Sequence, residues 1–211
     1  MKRYILFDLD GTLTDPKEGI TKSVQYALAK LGIEEDSNNL TKFIGPPLKE
    51  SFSVFYGFDR EKAEKAVEFY RERYADIGIF ENKVIEDIPQ VLKILKEAGK
   101  ILAVATSKPT KFAKAICDKY DLSQYFDLIL GSELDGTRSN KDEVIKEVLN
   151  RLGCSKEETI MVGDRRHDII GAKKCDIASV GVEFGYAEEG ELQKAGADYI
   201  VKKPSELLFF I

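Results

Sequence analysis

Five short apolar runs, usually bounded by polar residues or glycine, constrain this chain more than any other feature: Tyr4 to Phe7, Ile101 to Ala105, Leu128 to Leu130, Thr159 to Val162 and Ala178 to Val182. Successive residues of a strand face opposite ways. Short runs that are apolar at nearly every position therefore predict strands buried on both faces, as in a parallel sheet covered by helices. The segments between them carry helical periodicity. Ile88, Val91, Leu92 and Leu95 form one stripe that stops at Gly99, and Val144, Ile145, Val148, Leu149 and Leu152 form another that stops at Gly153. Glycine just past the last periodic residue is a frequent helix stop. Strands alternating with helices over most of the chain predict an α/β fold with a doubly wound parallel sheet.

Residues 15 to 80 break this alternation. Asp15-Pro16-Lys17-Glu18 reads as an N-cap, a proline at the first helical position and an acid at the third. Ile20, Val24, Ala27, Leu28 and Leu31 then form one stripe before Gly32. A second helix is expected to carry Leu48, Phe52 and Phe55, and a third, opened by Asp59, to carry Ala63, Ala66, Val67, Tyr70 and Tyr74. With no convincing strand, the region is an all-helical insertion at 15–80 within a core of residues 1–14 and 81–211.

Composition excludes several classes. At 211 residues, 43% hydrophobic and 33% charged, the chain has an ordinary globular make-up and enough length for a core plus an inserted domain. Its 32 Lys and Arg against 37 Asp and Glu give a net charge of -5, which argues against a nucleic-acid surface. The first apolar run ends at Asp8, too short for a signal-peptide core. No stretch approaches the roughly 18 apolar residues of a membrane span, so a cytoplasmic protein is expected. Cys117, Cys154 and Cys175 are odd in number and widely spaced, which predicts reduced, partly buried thiols. His167 is the only histidine, so a structural zinc site is not expected.

The chemistry concentrates at Asp8-Leu9-Asp10-Gly11-Thr12, directly after the first buried run. Two carboxylates at the mouth of a sheet lose hydration and repel each other, so they need a reason to be there. A calcium loop of the EF-hand type fails on spacing, because its sixth position would be Leu13 and its twelfth Gly19. Further candidates fall at the ends of later strands, where open α/β sheets place their ligands. Thr106-Ser107-Lys108 follows the second run, Lys141 opens the helix after the third, and Gly163-Asp164 with Asp168 follows the fourth. Each alone has a bland explanation as a helix cap, a surface lysine or a polar turn. Their falling together at one sheet edge is the signal.

This ordered set resembles the haloacid dehalogenase superfamily of phosphohydrolases over essentially the whole chain. Asp8 to Thr12, Thr106, Lys141, and Gly163-Asp164 with Asp168 match its four motifs in order. Phe7 to Thr14, Ile44-Gly45-Pro46-Pro47-Leu48 and Asp135-Gly136-Thr137-Arg138 look most like its phosphoglycolate phosphatase and bacterial 5′-nucleotidase-like branch. The resemblance implies a Rossmann-like core and makes the 15–80 insertion an α-helical cap. Many relatives carry Tyr and Gly where this chain has Ile85 and Asp87, which puts the usual turn of the second cap crossing in question.

By the same resemblance, Asp8 is the nucleophile that forms an aspartyl phosphate. Asp10 protonates the leaving alcohol and later takes a proton from water. Thr106 and Ser107 bind the phosphoryl oxygens, and Lys141 offsets charge on the nucleophile and the transferring group. Asp8, Asp10, Asp164 and Asp168 against Lys141 leave a formal -3. Mg²⁺ brings this to -1 and a proton on Asp10 to zero, so both are expected. The resemblance implies Mg²⁺ ligation by Asp8 and Asp164 and by the Asp10 carbonyl, with Asp168 supporting the site. Lys49 is a candidate for a second anionic group of the substrate. Arg165, Arg166 and His167 read first as residues of a helix start, and Phe52, Phe55 and Tyr56 as cap core.

The expected activity is Mg²⁺-dependent hydrolysis of a small phosphorylated metabolite, of phosphoglycolate or nucleoside 5′-monophosphate type, by a monomer or weak homodimer without nucleic-acid or membrane partners. Two alternatives stay open on these residues. One is a phosphomutase with the same site residues; the other is a receiver-type signalling module that keeps its phospho-Asp, against which the helical insertion counts.

Overall fold

All four residues of the first strand, β1 (Tyr4–Phe7), are buried, and the sheet is built outward from it. In the computed structural model, which describes residues 2–210, the strand is followed by β2 (Thr14–Asp15), α1 (Lys17–Lys30), α2 (Leu48–Tyr56), α3 (Arg60–Tyr74), β3 (Lys83–Val84) and α4 (Ile88–Glu97). Then come β4 (Ile101–Pro109), α5 (Thr110–Lys119), β5 (Leu128–Ser132), α6 (Lys141–Leu152), β6 (Thr159–Gly163), α7 (Arg166–Lys174), β7 (Ala178–Val182), α8 (Glu191–Ala195) and β8 (Tyr199–Val201).

Six strands form one sheet in the order β5-β4-β1-β6-β7-β8, with every pairing parallel. The chain winds outward from β1 through β4 and β5, then returns to wind the other way through β6, β7 and β8, so the sheet is doubly wound as the alternation predicts. One face packs Tyr4, Leu6, Ala103, Ala105, Leu130 and Met161 against Val144, Ile145 and Val148 of α6 and Ala172 of α7. The odd-numbered neighbours Ile5 and Phe7 are equally buried on the opposite face, which is why the runs carry no polar alternation.

By its contacts the chain divides into two compact units: the residues up to Asp15 together with those from Val84 onward, and Pro16–Lys83. The second unit is helical. Asp59 caps α3 by accepting from Lys62 N at 2.8 Å, and Phe43, Phe52 and Phe58 form its aromatic centre, with ring centroids 5.0 and 5.9 Å apart. Phe55 packs on Phe43, and the Tyr56 hydroxyl donates to Glu35 Oε2 at 3.1 Å, so these aromatics serve the core of the unit as their spacing predicts. Arg73 grips Glu81 with two donors at 2.7 and 2.9 Å.

One local expectation is corrected and two elements were not foreseen. Asp15 does not cap α1: the helix starts one residue later with Pro16 at the N-cap, whose carbonyl accepts from Ile20 N, and the Asp15 carboxylate instead accepts from the Tyr186 hydroxyl. A 3-10 helix at Ser37–Phe43, capped by Asp36, precedes α2. The edge strand β8 went unforeseen because three residues with Tyr199 exposed carry too little periodicity to register. At the turn before α4, Asp87 takes the left-handed conformation, φ 66°, a region in which Asp is one of the better-tolerated side chains.

Among the described residues no helix is long and apolar enough to cross a membrane. Cys117 and Cys175 are buried and Cys154 is half-buried, all three as free thiols. Burial pushes the Cys117 thiol up to about 12 and the Cys154 thiol up to about 11. A raised thiol pKa means less thiolate at a given pH, so at pH 8 the reactive fractions fall to ~10⁻⁴ and ~10⁻³. The native protein is expected to react with a thiol-titrating disulfide reagent at pH 8 orders of magnitude more slowly than the guanidinium-unfolded chain; rapid reaction of all three cysteines in native buffer would contradict this packing.

Candidate active site

β4 and β6 flank β1 on either side, so the reversal of winding falls at β1. Crevices of this kind, at the carboxyl ends of such strands, are where open α/β sheets bind ligands. Asp8 follows β1 directly and continues its pairing, donating its N–H to Val162 O at 2.9 Å. The chain then folds back sharply: Leu13 N and Thr14 N both donate to Leu9 O, and Gly11 N to Thr14 O at 2.7 Å. Gly11 takes φ 82°, and a Cβ there would overlap the Asp164 carboxylate. The turn thus needs glycine for both conformation and space, and it buries Asp8 and Asp10 side by side.

Lys141, the first residue of α6, reaches into the same crevice and is 5% exposed. Its Nζ lies 2.8 Å from Asp8 Oδ1, 2.8 Å from Asp168 Oδ1, and donates to Ala105 O at 3.1 Å. Burial by itself would lower the ammonium pKa, but the carboxylates of Asp168 and Asp8 outweigh it and hold Lys141 above its ordinary value. Asp168 lies in the first turn of α7, and its Oδ2 accepts from Arg165 N at 3.0 Å. Burial pushes its carboxyl upward, opposed by Lys141.

Asp164 is fully buried and held by neutral donors: Tyr186 N at 2.7 Å on Oδ2 and the Thr12 hydroxyl at 3.4 Å on Oδ1. Burial, then the charges of Asp168 and Asp8, raise its carboxyl well above the usual carboxylate range. Asp8, Asp164 and Asp168 each offer one carboxylate oxygen within 4.8 Å of the others. An all-oxygen, acidic donor set of this kind fits a hard divalent cation. Asp168 already has one oxygen on Lys141 and the other on Arg165 N, which leaves Asp8 and Asp164 as the better-placed ligands.

Thr106 is buried near the end of β4, where its Oγ1 accepts from Lys108 N at 3.2 Å. The half-buried Ser107 offers its carbonyl to Ser132 Oγ at 2.7 Å. Lys49 lies in the helical unit, ion-paired with Glu64 and half exposed. Arg165 is buried on Glu191 at 3.0 Å rather than solvated, Arg166 is exposed, and His167 is half-buried.

Sequence reasoning missed the role of Lys108. β4 runs past its apolar segment to Pro109 with a register shift after Thr106, and Lys108 ends buried, its Nζ on Asp10 Oδ2. Among the described residues Asp10 Oδ1, which is buried, has no hydrogen-bond partner. The second ammonium changes the charge balance from -3 to -2, so one divalent cation neutralises the site with Asp10 ionised. Charge balance therefore does not require the proton on Asp10 that the motif residues alone suggested. Tyr186, 22 residues beyond Asp164, had no sequence signal at all.

Residues 5–182 match the haloacid dehalogenase-like hydrolase family, and the chain belongs to it. It is similar to a 5′-nucleotidase of Pseudomonas aeruginosa, 50% identical over 190 residues that make up 90% of this chain and 86% of the relative. A phosphoglycolate phosphatase of Aquifex aeolicus is 33% identical, over 98% of this chain and 95% of its own. The crystal structure of a predicted phosphatase from Clostridium acetobutylicum superposes with a TM-score of 0.97 at 48% identity, over 100% of both chains. The chain is a phosphatase of this family, a phosphoric monoester hydrolase.

Removing one partner from a buried ion pair strands the other charge, at a cost of about 3–5 kcal/mol. Lys141→Met should lower stability by about that amount in metal-free buffer by urea denaturation, with part recovered on adding Mg²⁺; a loss below about 1 kcal/mol would show that Asp8 and Asp168 do not depend on it.

Proposed function

We propose that the protein is a Mg²⁺-dependent phosphatase that hydrolyses a small phosphorylated metabolite through an aspartyl-phosphate intermediate on Asp8, with Pro16–Lys83 as its cap domain. The observation that carries this reading is the buried convergence of Asp8, Asp164 and Asp168 on one crevice, with Lys141 bridging two of them. Asp8 and Asp164, with the Asp10 carbonyl, would hold the Mg²⁺. Bound there, the ion supplies positive charge against the phosphoryl oxygens.

In the first half-reaction Asp10 enters protonated, its carboxyl pKa raised by burial; an Asp8 oxygen bonds to phosphorus as the bond to the leaving oxygen breaks, and Asp10 donates its proton to that oxygen. In the second, Asp10 takes a proton from water, whose oxygen attacks phosphorus and returns Asp8 as a carboxylate. Lys141, with the Thr106 hydroxyl and the Thr106–Ser107 backbone, holds the phosphoryl group; Asp168 keeps Lys141 oriented. Nucleoside 5′-monophosphates are the first substrate class, because the relative with that activity in its name is 50% identical, and phosphoglycolate is the second. To meet a second anionic group of such a substrate, Lys49 has to release Glu64.

A phosphate-release screen with Mg²⁺ across nucleoside 5′-monophosphates, phosphoglycolate, sugar phosphates and pyrophosphate tests the substrate class; turnover should vanish with a chelator and return with Mg²⁺. Asp8→Asn should cost at least about 10³-fold in kcat while circular dichroism stays unchanged. Activity near wild type in that variant would sink the covalent mechanism.

A further inference from the structure

The segment after β7, Glu183-Phe184-Gly185-Tyr186, holds none of the residues to which the motifs point, yet it packs directly on Asp164. Tyr186 N donates to Asp164 Oδ2 at 2.7 Å. The approach is possible only because Gly185 has no side chain: a Cβ there would overlap both Asp164 Cβ and Gly11 O. Gly11 closes on the same carboxylate: a Cβ on it would overlap Asp164 Oδ2 and lie 3.0 Å from Tyr186 Cδ2. Two glycines thus approach Asp164 more closely than any side chain would allow, with the Tyr186 ring alongside.

The loop is fixed at its margins. The Tyr186 hydroxyl donates to Asp15 Oδ1, and Asp15 is the last core residue before the chain enters the helical unit. Upstream, Glu183 N donates to Val201 O at 2.9 Å. Downstream, Glu188 N donates to Glu191 Oε2 at 3.0 Å, and the same carboxylate holds the Arg165 side chain through Oε1, also at 3.0 Å. Burial and the Asp15 carboxylate push the Tyr186 phenol well above its ordinary pKa, so it stays a donor.

We propose that Gly185 and Tyr186 are positioning residues of the metal site, orienting the Asp164 carboxylate through the Tyr186 amide, and that the Tyr186–Asp15 bond holds that amide in place. The inference rests on the reading of Asp164 as a metal ligand. Outer partners of metal ligands commonly govern affinity by one to two orders of magnitude. Here the partner is a main-chain amide, so its effect has to be reached through the residues that fix the loop.

The test is direct Mn²⁺ binding to the purified protein, read by electron paramagnetic resonance of the free ion, alongside the Mg²⁺ concentration for half-maximal phosphate release. Gly185→Ala should weaken Mn²⁺ at least about tenfold and Tyr186→Phe about three- to tenfold. Asp15→Ala should match Tyr186→Phe, and the double variant should be no weaker than either, because both remove the same bond. Saturating Mg²⁺ should restore most of kcat in Tyr186→Phe, an affinity effect that general loss of stability would not produce. If circular dichroism shows Gly185→Ala unfolded, Tyr186→Phe and Asp15→Ala decide the question. Wild-type Mn²⁺ affinity in those variants, with binding lost in Asp164→Asn, overturns the proposal and leaves the metal reading intact. Wild-type affinity in Asp164→Asn itself overturns both.

Discussion

The site depends on one buried ammonium held between two carboxylates. Lys141 sits 2.8 Å from both Asp8 and Asp168, and each of the three would be costly alone in a crevice that is almost fully desolvated. Together they compensate one another's charge. The interaction also links three elements: Asp8 comes from the end of β1, Lys141 from the start of α6 and Asp168 from the first turn of α7. Sheet and helices have to be docked for the pair to exist, so the stability of the core and the chemistry of the crevice share the same contacts.

The other carboxylates meet different partners. Asp10 faces the Lys108 ammonium, a partner that moderates its charge while its other oxygen stays unbonded. Asp164 is met by neutral donors only, a hydroxyl and a main-chain amide. Its charge is oriented but not neutralised, and burial opposes that charge strongly. A carboxylate in this condition gains most from a cation, and a divalent ion brings the whole crevice to formal neutrality.

Much of the core was legible because it follows from elementary periodicity. The mainly apolar runs marked five of the six core strands, since a strand covered on both faces shows little polar alternation. Asp8 and Asp10 stood out as paired carboxylates at the mouth of a sheet, and Thr106, Lys141, Asp164 and Asp168, each with a bland explanation alone, because they fall together with them at one edge of the predicted sheet. What escaped is equally physical. β8 is an edge strand of three residues, too short for a period. Lys108 belongs to a polar triplet whose burial depends on a register shift in β4. Asp15 looked like a helix cap because its neighbours fit one, and it was claimed instead by Tyr186 from 171 residues away.

The sequence by itself determined the alternation of strand and helix, the helical insertion, and the placing of four acids and a lysine at the ends of successive strands. These are local statements, and local polarity and spacing suffice to make them. Only the tertiary structure decided which charge compensates which: Lys141 with Asp8 and Asp168, Lys108 with Asp10, and Asp164 left to an amide of the loop at Tyr186. Pairing of that kind is settled by distances of a few ångströms between segments remote in sequence, and the folding of the sheet brings those segments together.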